Sequence, residues 1–158
     1  MPSYFRPTRN VELSTLYYLE NSLNSDWSGI TVVKKFTDAY KEPLPVIAMN
    51  ISNVYSHRKE VGATTLLNDY VLSIDIFASS DGQRIDLADY ITDKIKDNWT
   101  FYTHSQTPGS PTSLTRVANG SLFVTRFSSS YKVDLGSEGV NTYDRFRHYI
   151  EVTVRTSQ

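Results

Sequence analysis

Seven aspartates crowd one stretch of the chain, "DYVLSIDIFASSDGQRIDLADYITDKIKDNW": Asp69, Asp75, Asp81, Asp86, Asp89, Asp93 and Asp97. Carboxylates in such number are raw material for a metal site or for general acid–base catalysis. Their spacing points elsewhere. On a helix, Asp86, Asp89, Asp93 and Asp97 fall within an arc of roughly 80°. Leu87, Ala88, Ile91, Ile95 and Trp99 form an apolar stripe on the opposite side, and Lys94 and Lys96 flank the acids. A general acid at neutral pH needs a cleft that raises a carboxyl pKa, and an open helix face offers none. The ridge reads first as a solvated face. Two other readings stay open: lining a channel and repelling DNA phosphates, or meeting a basic neighbour. Asp75 sits mid-strand beside Ser73, where a cross-strand Lys or Arg is a better expectation than a nucleophilic role. Asp81-Gly82 reads as turn and helix-cap chemistry.

Other reactive types are scattered. His57 and Glu60 give a His-x-x-Glu pair in a loop, two ligands without a third. His104 falls in a Ser/Thr/Pro/Gly-rich stretch. His148 alternates with Phe146 and Ile150 and reads as a core or edge histidine. No Gly-x-Ser-x-Gly elbow is present, and "GSEGVN" lacks the lysine and strand-to-helix context of a phosphate-binding loop. "NIS", "NWT" and "NGS" match a glycosylation pattern without a signal for secretion.

The elements that would position these residues follow from periodicity. Residues 1–9 read as an extended arm, followed by a single domain over 10–158. A helix is expected from Asn10, as N-cap, to about Asn24, with Leu16, Leu19 and Leu23 on one face. "GITVVKKF" reads as a short strand and "TDAYKEPLP" as a turn-rich link. "VIAMNISNVYS" and "LLNDYVLSIDIFA" alternate as half-buried strands, the second with Tyr70, Leu72, Ile74, Ile76 and Ala78 inward. The second helix is expected over Arg84 to Trp99. "TFYTH" suits a short strand, and residues 104–119 read as a long mobile loop. "SLFVTRFSSSYKVDL" and "TYDRFRHYIEVTVRT" then form a long closing hairpin around "GSEGVN". The fold class is α+β: an antiparallel sheet of about five to six strands flanked by two main helices.

The last strand carries Arg145, Arg147, Tyr149, Glu151, Thr153 and Arg155 on its polar face. This reads as a solvent face whose charges discourage edge pairing, or as a subunit interface, where Arg and Tyr often anchor contacts. Tyr55, Arg58 and Lys59 form a second candidate contact. The bulk numbers bound the rest. With 158 residues the chain suits one domain with a real core. A net charge of -1 gives no global pull toward DNA or membranes. The absence of Cys removes disulfides, zinc thiolates and thiol nucleophiles, and a reducing cytoplasm fits that composition. No apolar run approaches a membrane span. The 11 tyrosines, against 7 phenylalanines, fit strand-rich composition or an interface.

The order of these elements resembles that of the tail terminator (tail completion) proteins of long-tailed bacteriophages. The resemblance rests on "LPVIAMNI", on "YVLSIDIFA" running into an amphipathic helix, and on the closing "HYIEVTVRT". It covers about residues 10–156, with no catalytic motif to align. It implies a non-enzymatic virion protein without cofactors, assembled in the host cytoplasm. Six copies would form a ring on the head-proximal end of the tail tube. The ring would stop tube polymerisation and offer a docking face to the head connector, or stopper, protein, with DNA passing through. Another neck, head–tail connector or head-completion subunit is the alternative.

Overall fold

Pro7 opens the first helix, three residues before the expected cap. The computed structural model describes residues 5–62, 64–107, 109–110, 113–133 and 142–157. Helix α1 spans Pro7–Asp26 with proline in its first turn, where a missing N–H costs nothing. Residues 7–9 of the expected arm are therefore helical. Asn10 does not cap the helix. Its side chain is diverted to a strand, as described below.

A short strand, β1 (Thr31–Val33), follows, and the proline-containing link after it holds a four-residue helix, α2 (Phe36–Ala39). β2 (Val46–Arg58) and β3 (Leu66–Phe77) make a long hairpin. Helix α3 covers Asp81–Ile95. Its start is set by a reciprocal cap: Ser80 Oγ accepts from Gln83 N at 3.2 Å, while Gln83 Oε1 accepts from Ser79 N at 2.8 Å. Trp99, expected as the last residue of the helical stripe, instead begins β4 (Trp99–Gln106). At i+4 from Ile95 it fits the stripe, but the run Thr100, Phe101, Tyr102, Thr103 favours a strand. Its indole N–H donates to Thr15 Oγ1 at 3.2 Å.

The expected 104–119 loop is largely strand. β5 runs Leu114–Lys132 and pairs with β4 from Trp99↔Leu122 to Gln106↔Leu114. Both faces of this hairpin are wet near its tip, so no apolar alternation marked it. The chain closes with β6 (Arg147–Ser157), paired with β5 down to Lys132↔His148. Residues 142–146, expected in the last strand, form turns. "GSEGVN" lies outside the described residues.

The six strands form one curled sheet in the order β1-β2-β3-β6-β5-β4. Every pairing is antiparallel except β1 with β2. The fold is thus mixed α+β, with α1 and α3 as the two long helices. β6 is an interior strand between β3 and β5, so its charges cannot be blunting an edge. The helices pack on the face bearing Leu72, Ile74, Ile76, Ile150, Val152 and Val154, joined by Leu19, Leu23, Leu87, Ile91 and Ile95. Each such side chain contributes about 1.5–3 kcal/mol through burial. On the opposite face a small second cluster, Val46, Ala48, Phe77 and Ala39, is covered by Tyr40 and Tyr143.

Helix α1 also closes strand edges. Ser14 Oγ accepts from Tyr102 N at 2.9 Å, and Asn10 Oδ1 accepts from His104 N at 3.0 Å. Phe5 N donates to His104 O at 3.1 Å. These groups stand where a neighbouring strand would be. Across the fold, Glu12 Oε2 accepts from Ile51 N of β2 at 3.1 Å and pairs with Lys34 at 2.9 Å.

Candidate interaction surface

The polar face of the sheet is ordered by rungs of in-register residues. One rung is Ala48, Asp75, Tyr149 and Tyr131; the next are Asn50, Ser73, Glu151 and Ser129, then Asn53, Val71, Thr153 and Arg126. The strand period of two places these side chains on the same side. Asp75, only 8% exposed, accepts from Arg147 Nε and Nη2. Arg147 also meets Asp144 at 3.6 Å and lies over the Phe77 ring. Burial raises the Asp75 carboxyl above the usual carboxylate range, and Arg147 opposes that shift without reversing it. Tyr149 OH shares a 3.0 Å hydrogen bond with Ser73 Oγ and its ring packs beside Tyr131. Arg155 and Asp69 close another ion pair, at 2.8 Å.

The interface candidates therefore divide. Arg147 and Tyr149 are half-buried members of this network, and Arg147 is committed to Asp75. Arg145 is exposed, in the turn before β6. Tyr55, Arg58 and Lys59 are exposed at the far end of the β2–β3 arm, Tyr55 by 58%. The two candidate contacts thus occupy opposite ends of the sheet. Between them a groove of about 550 Å³ holds Tyr55, Arg126, Ser129, Glu151 and Thr153.

All four acids of the ridge, Asp86, Asp89, Asp93 and Asp97, are exposed. Asp97 lies just past the end of α3. Asp93 pairs with Lys96 at 2.6 Å, and that contact holds its carboxyl below the usual range.

Among the described residues, Asp75, His148 and His57 do not converge. Asp75 and His148 lie on opposite faces of the sheet, and His57 is exposed on the arm. His148 is buried between Arg84 Nη1, at 2.7 Å from its Nδ1, and Ser130 Oγ, at 2.8 Å from its Nε2. Because arginine can only donate, Nδ1 accepts and Nε2 carries the proton. His104 is 1% exposed, and its Nδ1 lies 3.2 Å from Asn10 Oδ1 while Nε2 has no partner. No group of three or more acidic or histidine side chains among the described residues is placed to hold a metal ion. No helix among them is long and apolar enough to cross a membrane.

The edge-closing roles of Asn10, Ser14 and Glu12 and the Arg84–His148 contact were not foreseen from sequence. The one available signal was polar residues interleaved with the leucines of the first helix. The domain these residues build is a mixed α+β unit with a six-stranded curled sheet and an extensively hydrogen-bonded polar face. No family model matches the chain. No curated protein matches it either.

Proposed function

We propose that this chain is a structural ring subunit that caps the head-proximal end of a phage tail tube, stops its growth and presents a docking face to the head connector. The observation that carries the reading is the element order: a leading helix, the β2–β3 arm, β3 passing directly into the amphipathic α3, and a central closing strand. That order supports the resemblance named above, and the exposed arm and acidic helix face supply surfaces for neighbours. In this reading the partners are further copies of the chain, six in the closed ring, together with the tube protein and the connector. DNA crosses the lumen without specific contacts, and the acidic face of α3 lines it or meets a basic neighbour.

The test is light scattering of the protein with and without isolated tail tubes, followed by electron microscopy of the mixture. A six-fold cap on one tube end is the expected outcome. A protein that ignores tubes but binds capsid portals would replace this reading with that of another neck subunit.

A further inference from the structure

β5, a 19-residue strand, leaves a long segment without an outer neighbour among the described residues. Beyond Leu122, where its pairing with β4 ends, the segment 123–132 pairs only with β6 among the described residues. Among the described residues nothing there corresponds to the closure of β4 by Asn10, Ser14 and Phe5. Phe127 and Tyr131 on this segment are each 51% exposed. On the other side of the sheet β1 covers β2 only over Val46–Ala48. Glu12 takes the amide of Ile51, and Val54 N–H is held by its neighbour's exposed Asn53 side chain at 2.9 Å. Past these points β2 runs on without an outer neighbouring strand among the described residues.

The two open stretches match in three respects. First, direction: β3 is antiparallel to β2 and β6, and β5 is antiparallel to β6, so β2 and β5 run oppositely. Rotating a copy about an axis along the strands brings its β2 beside β5 as an antiparallel pair. Second, height and face: the rungs place Val54 level with Val124, Asn53 with Arg126, Ile51 with Phe127 and Asn50 with Ser129. Apolar residues meet apolar and polar meet polar, with no like charges opposed. Third, curvature: register shifts lie at Ile51/Asn53 on β2 and at Val124/Arg126 and Phe127/Ser129 on β5. Such bulges add the bend that a sheet needs to close on itself.

We infer that β5 of one copy receives β2 of the next, so that the sheet continues from subunit to subunit. The contact is heterologous, and it closes a ring if the rotation closes. The inference deepens the ring reading above and rests on it.

The chain has no cysteine, so engineered single cysteines report contacts cleanly. Asn53→Cys and Tyr55→Cys proteins are each mixed with Arg126→Cys, concentrated and oxidised. In-register neighbours fall within disulfide reach, and the two donors cover a register slip of two. Disulfide dimers are expected in the mixtures, at least about tenfold above an Asp89→Cys plus Arg126→Cys control, a tenfold preference being about 1.4 kcal/mol. Each variant alone should give none. Mixtures no better than the control at the highest concentration reached, including from a monomeric sample, overturn the inference. Self-linking of Ser128→Cys instead would also overturn it, in favour of a twofold β5–β5 contact. Light scattering on the same samples separates the two proposals. Six-copy rings without these links keep the ring and remove the strand contact. Links within open chains keep the contact and remove the ring.

Discussion

Arg147 donates from Nε at 3.0 Å and from Nη2 at 2.8 Å to the same oxygen of Asp75, Oδ1. The pair is cross-strand but diagonal, since the residue opposite Asp75 is Tyr149. Both side chains are mostly buried, at 20% and 12% exposure. Arg147→Glu would place two carboxylates together there and cost on the order of 3–5 kcal/mol. Asp75→Asn keeps the shape and a hydrogen-bond acceptor and should cost about 1–3 kcal/mol. Urea denaturation checks both. Costs below about 0.5 kcal/mol, the usual size of a surface change, would mean that the network is not structural.

Arg145 is the cleaner interface probe. Under the capping proposal, Arg145→Glu should leave the urea midpoint close to wild type while reducing the share of tail tubes that carry a cap. Unchanged capping would remove Arg145 from the contact.

Two buried histidines set an acid limit on stability. Burial holds His148 below the ordinary imidazole range, and the Arg84 guanidinium beside it adds to the effect. Burial does the same for His104, with Arg116 adding. The unfolded chain takes up these protons near pH ~6.5, while the folded protein resists them. This contribution is therefore complete above that pH and is lost as the pH falls through the lowered folded values. Asp75 has the opposite sign: its raised carboxyl gives a contribution that is present below about pH 3.9 and is lost as the pH climbs through the folded value. Urea midpoints should drop between pH 7.5 and 5, and His148→Gln with His104→Gln should flatten that drop. An unaltered pH slope in the double variant would assign the acid limit to other groups.

His104→Leu tests the unpartnered Nε2. The substitution removes a buried acceptor with no donor, while Asn10 still accepts from the residue's backbone N–H. Stability should change by less than about 1 kcal/mol, whereas Asn10→Leu, which strips the strand edge, should cost about 2 kcal/mol or more. A reversed order would show that the ring, not the edge closure, holds this corner together.

Replacing Asp86, Asp89, Asp93 and Asp97 together by Asn should leave the circular dichroism spectrum and thermal midpoint near wild type, since all four face solvent. Loss of folding would make them structural.

The strands β2, β3 and β6 were legible because apolar and polar residues alternate along them: Ile47, Met49 and Ile51 with Asn50 and Ser52, Leu72, Ile74 and Ile76 with Ser73 and Asp75, and Ile150, Val152 and Val154 with Glu151 and Thr153. The outer part of the β4–β5 hairpin, beyond the expected strand "TFYTH", was not, because Ser105, Thr115 and Val117 border solvent and carry no such imprint. Trp99 satisfied both a helical stripe and a strand, and tertiary packing on Tyr18 and Thr15 selected the strand. On the polar face, strand parity placed Arg147 and Tyr149 correctly. That Arg147 is spent on Asp75 depends on which strands are neighbours, and no local pattern encodes that. The same holds for β6 being central although it comes last in the chain.

The side-chain closure of β4 has a dynamic corollary. An edge strand ordinarily exchanges its outward amide hydrogens quickly with solvent. Here the amides of Tyr102 and His104 are locked onto Ser14 and Asn10, so in deuterated water they should exchange as slowly as those of an interior strand. Their protection would last only as long as α1 stays docked, which makes these two amides a clock for the helix's detachment.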